Sequence, residues 1–206
     1  MNVRFDRAAH GTLLATMTSR VEMGAAIRVA SVVLLAAMTA AAAQVSIPLP
    51  FTPVPFTLQP MIVLLGGAAL GSRLGMSAQV LYLLAGIAGL PVFVASSVLP
   101  QGALRLLGPT GGYLMSYPFA AFLAGLLAER GFDRRYVTSV IAMGAGLAVV
   151  FTFGVLWLAF FARPAAGLET AFGVGLYPFV PADIFKILVA AAIMPAVWRL
   201  TGRQSR

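Results

Sequence analysis

Four long stretches of this chain carry no charged side chain. Residues 29–72, 74–104, 106–128 and 136–162 are neutral throughout, in runs of 44, 31, 23 and 27 residues. A helix that crosses a bilayer needs about 20 consecutive apolar residues. Each run therefore holds at least one span, and the first is long enough for two. Only 10% of the residues are charged and 60% are apolar, against about 25% charged in ordinary soluble domains. A soluble enzyme, a disordered chain and a nucleic-acid-binding module are thereby excluded. There is no cysteine, hence no disulfide framework, thiolate nucleophile or Cys-ligated metal.

The first run is broken where a turn is needed. Pro48, Pro50, Pro53, Pro55 and Pro60 crowd one short segment, and prolines at that density cannot sit in a regular helix. The spans predicted are 26–45, 58–70, 74–94, 112–128, 136–161 and 181–198. The third closes on the turn signals Gly86, Gly89 and Pro91. The expectation is a single all-α integral membrane domain over residues 1–206, with an arm at 1–25 and a tail at 199–206. Six spans put both termini on one side. Eleven arginines fall on that side: Arg4, Arg7, Arg20, Arg28, Arg73, Arg130, Arg134, Arg135, Arg199, Arg203 and Arg206. Arg105 and Arg163 fall opposite. Basic loops face the cytoplasm, so both termini are expected there. A cleavable leader is not expected, because the basic arm is long and the remainder would keep five spans with its tail on the basic side.

An ionisable side chain inside a span is costly and points to function. Asp183 and Lys186 are the two, and Lys186 is the only lysine in the chain. At i and i+3 they share a helix face. Pro181 suits a first helical turn, which places the pair near the positive end of the last helix, favourable for an anionic ligand. A pair that merely neutralises itself is the plain alternative. The proline-rich loop from Gln44 to Gln59 reads as a lid over the outer mouth or as a stiff connector, with Thr52, Thr57 and Gln59 as neutral hydrogen-bonding groups. Gly67, Gly71 and Gly75 give overlapping GxxxG spacings for close helix packing. In the first span Ala36/Ala40 and Ala37/Ala41 give small-xxx-small spacing, for packing within the protein or on a partner. His10 stands alone in the arm, and no catalytic triad or carboxylate pair is present, so no enzyme is expected. GPTGGYL, entering the fourth span, lacks the Lys and Ser/Thr of a phosphate loop.

Four segments together resemble the BioY family, the biotin-specific S components of energy-coupling factor (ECF) ABC importers: QVSIPLPFTPVPFTLQ, YLLAGIAGLPVF, GPTGGYL and YPFVPADIFK. They occur in the expected order over residues 36–190. The resemblance implies a six-transmembrane-helix S-component fold in a bacterial inner membrane, with an outward-facing biotin site. Asp183 and Lys186, at the D-x-x-K positions of the last-helix motif, would contact the ligand. Asp183 can accept from the ureido N–H groups, and Lys186 can donate to the ureido carbonyl or attract the carboxylate. Phe93, Tyr113, Tyr177 and Phe179 are candidates for the walls. A further polar contact is expected after the third span, from Ser96, Ser97 or Gln101. Ala36, Ala37, Ala40 and Ala41 cover the family's docking motif without a unique register. The implied partners are one transmembrane coupling protein and two ATPases, which alone would use ATP. No cofactor or metal is implied, membrane lipid surrounds the chain, and self-association stays open. An S component for another vitamin, a proton-coupled carrier using Asp183 and an assembly protein without a ligand are the alternatives.

Overall fold

Inside an apolar slab every main-chain N–H and C=O must find its partner within the protein, and a helix does this within one segment. The neutral runs fold accordingly. The computed structural model describes residues 11–17, 24–96, 100–162 and 165–200. In chain order these form α1 (Leu13–Met17), α2 (Ala25–Gln44), β1 (Ser46–Ile47), β2 (Phe56–Thr57), α3 (Gln59–Leu70), α4 (Ser72–Ile87) and α5 (Leu104–Leu107). Then follow α6 (Gly111–Glu129), a 3-10 turn (Phe132–Arg134), α7 (Tyr136–Phe160), α8 (Leu168–Gly175) and α9 (Val180–Leu200).

Each predicted span has its helix, but the helices are not equivalent. α2, α6, α7 and α9 are long and apolar enough to cross a membrane. α3 has 12 residues and α4 has 16, about 18 and 24 Å at about 1.5 Å per residue. The third span was expected to run to residue 94 and instead ends at Ile87. Gly89 takes φ +93° and Pro91 follows, so the chain turns out of the helix. The chain then passes through a turn at Pro91–Val92 and a bend at Phe93, and Phe93 and Val94 are both buried.

α6 is the central helix, packed against α3, α4 and α7. Its contact face is Ala120, Ala121, Ala124 and Gly125, all buried. Side chains this small let backbones approach closely. A Cβ on Gly67 or Gly75 would run into the neighbouring backbone, which gives the predicted glycine spacing its packing role. Gly71, at φ +91°, makes the reversal from α3 to α4. Glu129, at the end of α6, closes this corner: its Oε1 accepts from the Ser72 N–H at 2.7 Å and from Ser72 Oγ at 2.9 Å. A carboxylate there satisfies a free N–H at the start of α4 and faces the positive end of that helix.

The proline-rich connection is a short hairpin. β1 pairs antiparallel with β2, Ser46 opposite Thr57 and Ile47 opposite Phe56. Four prolines lie between the strands, which limits the ladder to these two pairs because proline has no N–H to donate. Pro60 sits in the first turn of α3, where that loss costs nothing. This hairpin, the α4–α6 connection and the α7–α9 connection gather at one end of the bundle. The turn at Gly71, the 3-10 turn and the end of α9 lie at the other.

Candidate functional site

The first end of the bundle holds a cavity of about 610 Å³, counting the open space at its mouth. Clefts that take small molecules are mostly apolar with a few placed polar groups, and this cavity has that kind of lining. The hairpin, the segment after α4 and the helices α3, α5, α6, α7 and α9 contribute. The hairpin supplies Val54 to Thr57, α3 supplies Gln59, and the segment after α4 supplies Phe93 and Val94. α5 gives Arg105, α6 gives Tyr113 and Tyr117, and α9 with its approach gives Phe179, Asp183 and Lys186.

Three charged side chains line the cavity, two cations and one carboxylate. Asp183 and Lys186, one helical turn apart on α9, form a buried ion pair. Lys186 Nζ also donates to the main-chain carbonyl of Thr57 at 2.6 Å and lies 4.0 Å from the centre of the Phe56 ring. The α9 pair is therefore tied to the hairpin. Arg105 is 1% exposed. Its Nη2 donates to Val94 O, while Nε and Nη1 have no acceptor among the described residues. Burial lowers the Arg105 pKa from its ordinary value, yet a guanidinium remains protonated throughout the physiological range. A buried charge with unpaired donors is expensive to keep, and the cavity is the place where an anion could meet it.

Residues 14–203 match the sequence profile of the BioY family. The chain belongs to the BioY family. A probable biotin transporter BioY from Pyrococcus horikoshii is 41% identical over 165 residues, covering 80% of this chain and 92% of that relative. The biotin transporter BioY of Thermotoga maritima is 41% identical over 158 residues, covering 76% of this chain and 87% of that one. In three dimensions the chain is similar to the crystal structure of the S-component for biotin from an ECF-type ABC transporter. That likeness has a TM-score of 0.74 at 26% identity and covers 89% of this chain and 97% of the other. This BioY-family chain thus has an S-component fold and is a multi-pass membrane protein.

Of the residues singled out from sequence, the BioY fold brings Gln59, Phe93, Tyr113, Phe179, Asp183 and Lys186 to the one cavity. Thr57 lines it too, and four do not reach it: Ser96, Thr52, Gln101 and Tyr177. Thr52 Oγ1 donates to Val174 O at 2.6 Å, so it fastens the hairpin to α8. Gln101 is exposed and its Nε2 donates to Val94 O at 3.2 Å. Tyr177 is 66% exposed and stacks on Phe172; two residues later in the α8–α9 connection, Phe179 points inward. Ser97 lies outside the described residues. Tyr113 does more than line a wall: its hydroxyl donates to Gly175 O at 2.7 Å, holding α6 to α8.

Arg105 was missed as a site residue. In the sequence it is one arginine in an outer loop, the usual place for a solvated charge. The signal was the surrounding apolarity: Arg105 alone separates the neutral runs 74–104 and 106–128. The alanines of α2 divide by register. Ala36 is buried and Ala40 half-buried, whereas Ala37 and Ala41 face outward, in line with exposed Ala30 and Leu34.

Proposed function

We propose that this chain is the biotin-binding S component of an ECF-type importer, capturing biotin from outside the cell. The observation that carries the reading is the charge pattern of the cavity: an internally neutral Asp183–Lys186 pair and a separate Arg105 with free donors. Biotin has one negative group, its carboxylate, and one neutral polar group, its ureido ring. Arg105 suits the carboxylate, since a guanidinium offers a fork of donors to two oxygens. The ion pair suits the ureido ring, Asp183 accepting an N–H and Lys186 donating to the C=O. The aromatic side chains Phe93, Tyr113, Tyr117 and Phe179 cover the apolar remainder. The relatives named as biotin transporters support the same ligand.

Six spans with both termini in the cytoplasm of a bacterial inner membrane fit this reading, α3 and α4 being the two short ones beside α6. Arg28, Arg73, Arg130, Arg134, Arg135 and Arg199 lie toward the end away from the cavity, in keeping with the positive-inside pattern. The outward strip of Ala30, Ala37 and Ala41 on α2 is the docking face for a transmembrane coupling protein. Two ATPase subunits would supply the energy; the chain itself needs no cofactor.

Equilibrium binding to the purified protein in detergent tests the ligand and its orientation together. Biotin is expected to bind tightly. Biotin methyl ester, which lacks the negative charge, is expected to bind about ten- to a hundredfold more weakly, the worth of a charge-assisted hydrogen bond. Absence of biotin binding by folded protein overturns the reading.

A further inference from the structure

Tyr82 does not line the cavity, yet it touches the group that does. It sits on α4, 1% exposed, edge-on to Phe93 with ring centres 5.6 Å apart and 6.5 Å from Tyr117. Those two rings form cavity wall, so Tyr82 is wedged behind them. Its Oη accepts from Gln59 Nε2 at 2.7 Å. Gln59, 2% exposed, is fixed at its main chain as well, its N–H donating to Thr57 Oγ1 at 3.3 Å.

We propose that Tyr82 is a positioning residue: it turns the Gln59 amide so that Oε1 faces the cavity, making this point of the site an acceptor that selects a ligand N–H. A carboxamide has one acceptor oxygen and a donor NH2. With the NH2 held by Tyr82, the oxygen remains, and no donor among the described residues takes it. The surroundings favour this orientation. Lys186 and Arg105 both line the cavity, and Lys186 holds Thr57 O just two residues before Gln59. With Asp183 as the one carboxylate beside these two cations, the cavity is net positive, which favours the amide oxygen turned inward over the NH2. Asp183, Lys186 and Gln59 then offer acceptor, donor and acceptor, the complement of the N–H, C=O, N–H edge of a cyclic urea. The inference rests on the biotin reading above.

The test uses full-length protein in detergent and three ligands: biotin and its two analogues with one ureido N–H replaced by CH2. Wild type is expected to bind the analogue lacking the Gln59-facing N–H about five- to tenfold more weakly than a structure-neutral change would give, the scale of one neutral hydrogen bond. Tyr82→Phe should remove that preference and keep the preference at the other N–H. Gln59→Met, which leaves Tyr82 in place, should remove the same preference, and the double variant should add nothing. A Tyr82→Phe protein that weakens all three ligands by one common factor overturns the proposal, because that is what a purely structural residue does. If Tyr82→Phe does not fold, a retained preference in Gln59→Met overturns it equally. Wild type that binds biotin but treats both analogues as biotin's equals overturns this inference alone. Wild type that binds no biotin overturns the functional reading with it.

Discussion

Lys186 Nζ on α9 and the main-chain carbonyl of Thr57 on the hairpin meet at 2.6 Å. One ammonium is thus shared between the ion partner on its own helix, the strand that covers the cavity and the Phe56 ring. A ligand carbonyl that recruits Lys186 must compete with Thr57 or join it. In the proposed binding mode, ligand occupancy and hairpin position would be coupled through this one ammonium.

Phe56→Ala should therefore act on kinetics. The ring gives the ammonium a cation–π contact worth about 0.5–1 kcal/mol at exposed sites and about 2 when desolvated. Removing it loosens the hairpin over the cavity, and labelled biotin should dissociate about two- to fivefold faster, with a smaller change in association rate. Filter-based release from detergent-purified protein measures this. Equal changes in both rates would mean the hairpin does not close over the ligand.

Truncating the cation itself is more severe. Lys186→Ala should lose about ten- to a hundredfold in biotin affinity, on the scale of one charged hydrogen bond. It also leaves Asp183 buried and unpaired, which typically costs about 3–5 kcal/mol. The double variant Asp183→Asn/Lys186→Met removes both charges and should recover thermal stability while still failing to bind. Melting and binding measured on the same two proteins separate the site's role in folding from its role in recognition.

Arg105→Gln isolates the other end of the ligand. The variant keeps a donor for Val94 O and deletes the charge. Biotin should weaken about ten- to a hundredfold, whereas biotin methyl ester should be almost unaffected, so the acid-over-ester preference collapses. Competition binding with both ligands reads this directly. A preserved preference would move the carboxylate to Lys186.

What could be read from sequence and what could not follow the same physics. Helices were legible because burial in lipid leaves a chemical mark, the scarcity of charge, that locates 25–44, 111–129 and 136–160 within about one residue. The helix at 180–200, which holds Asp183, Lys186 and Arg199, is located within two residues by its apolar composition and by Pro181 in its first turn. Asp183 and Lys186 were legible because a charge inside such a run stands out. Facing was not. When all sides of a helix are apolar, periodicity carries no signal, and nothing distinguished Ala36, which packs inside, from Ala37, which faces out. Loops were the second blind spot. Tyr177 and Phe179 lie two residues apart in one connection, and only the fold decides that the second is buried. Arg105 is the largest miss: its isolation between two neutral runs set it apart, but that isolation does not say whether the side chain is solvated or folded back over a cavity.

The end of the bundle opposite the cavity carries a pH dependence of its own. Asp133, in the 3-10 turn, is buried and accepts from Trp198 Nε1 at 2.6 Å, with the Arg134 guanidinium 5.1 Å from the centre of the Trp198 ring. Burial pushes the Asp133 carboxyl up to about 6, and the Trp198 hydrogen bond and the Arg134 charge offset this only in part. The folded protein therefore holds a proton that the unfolded chain, with an ordinary carboxyl near about 3.9, has released. The resulting stabilisation is full below about pH 4 and is lost as pH rises through about 6. Asp133→Asn keeps an oxygen for Trp198 and carries no charge. Across this window wild type should lose about 2–8 °C of melting temperature, the range for about 1–2 kcal/mol in a chain of this size, relative to the variant. The quantity to plot is the melting temperature of Asp133→Asn minus that of wild type. It should climb between pH 4 and pH 6.5 and then level off, and a difference that stays flat would mean Asp133 is ionised throughout.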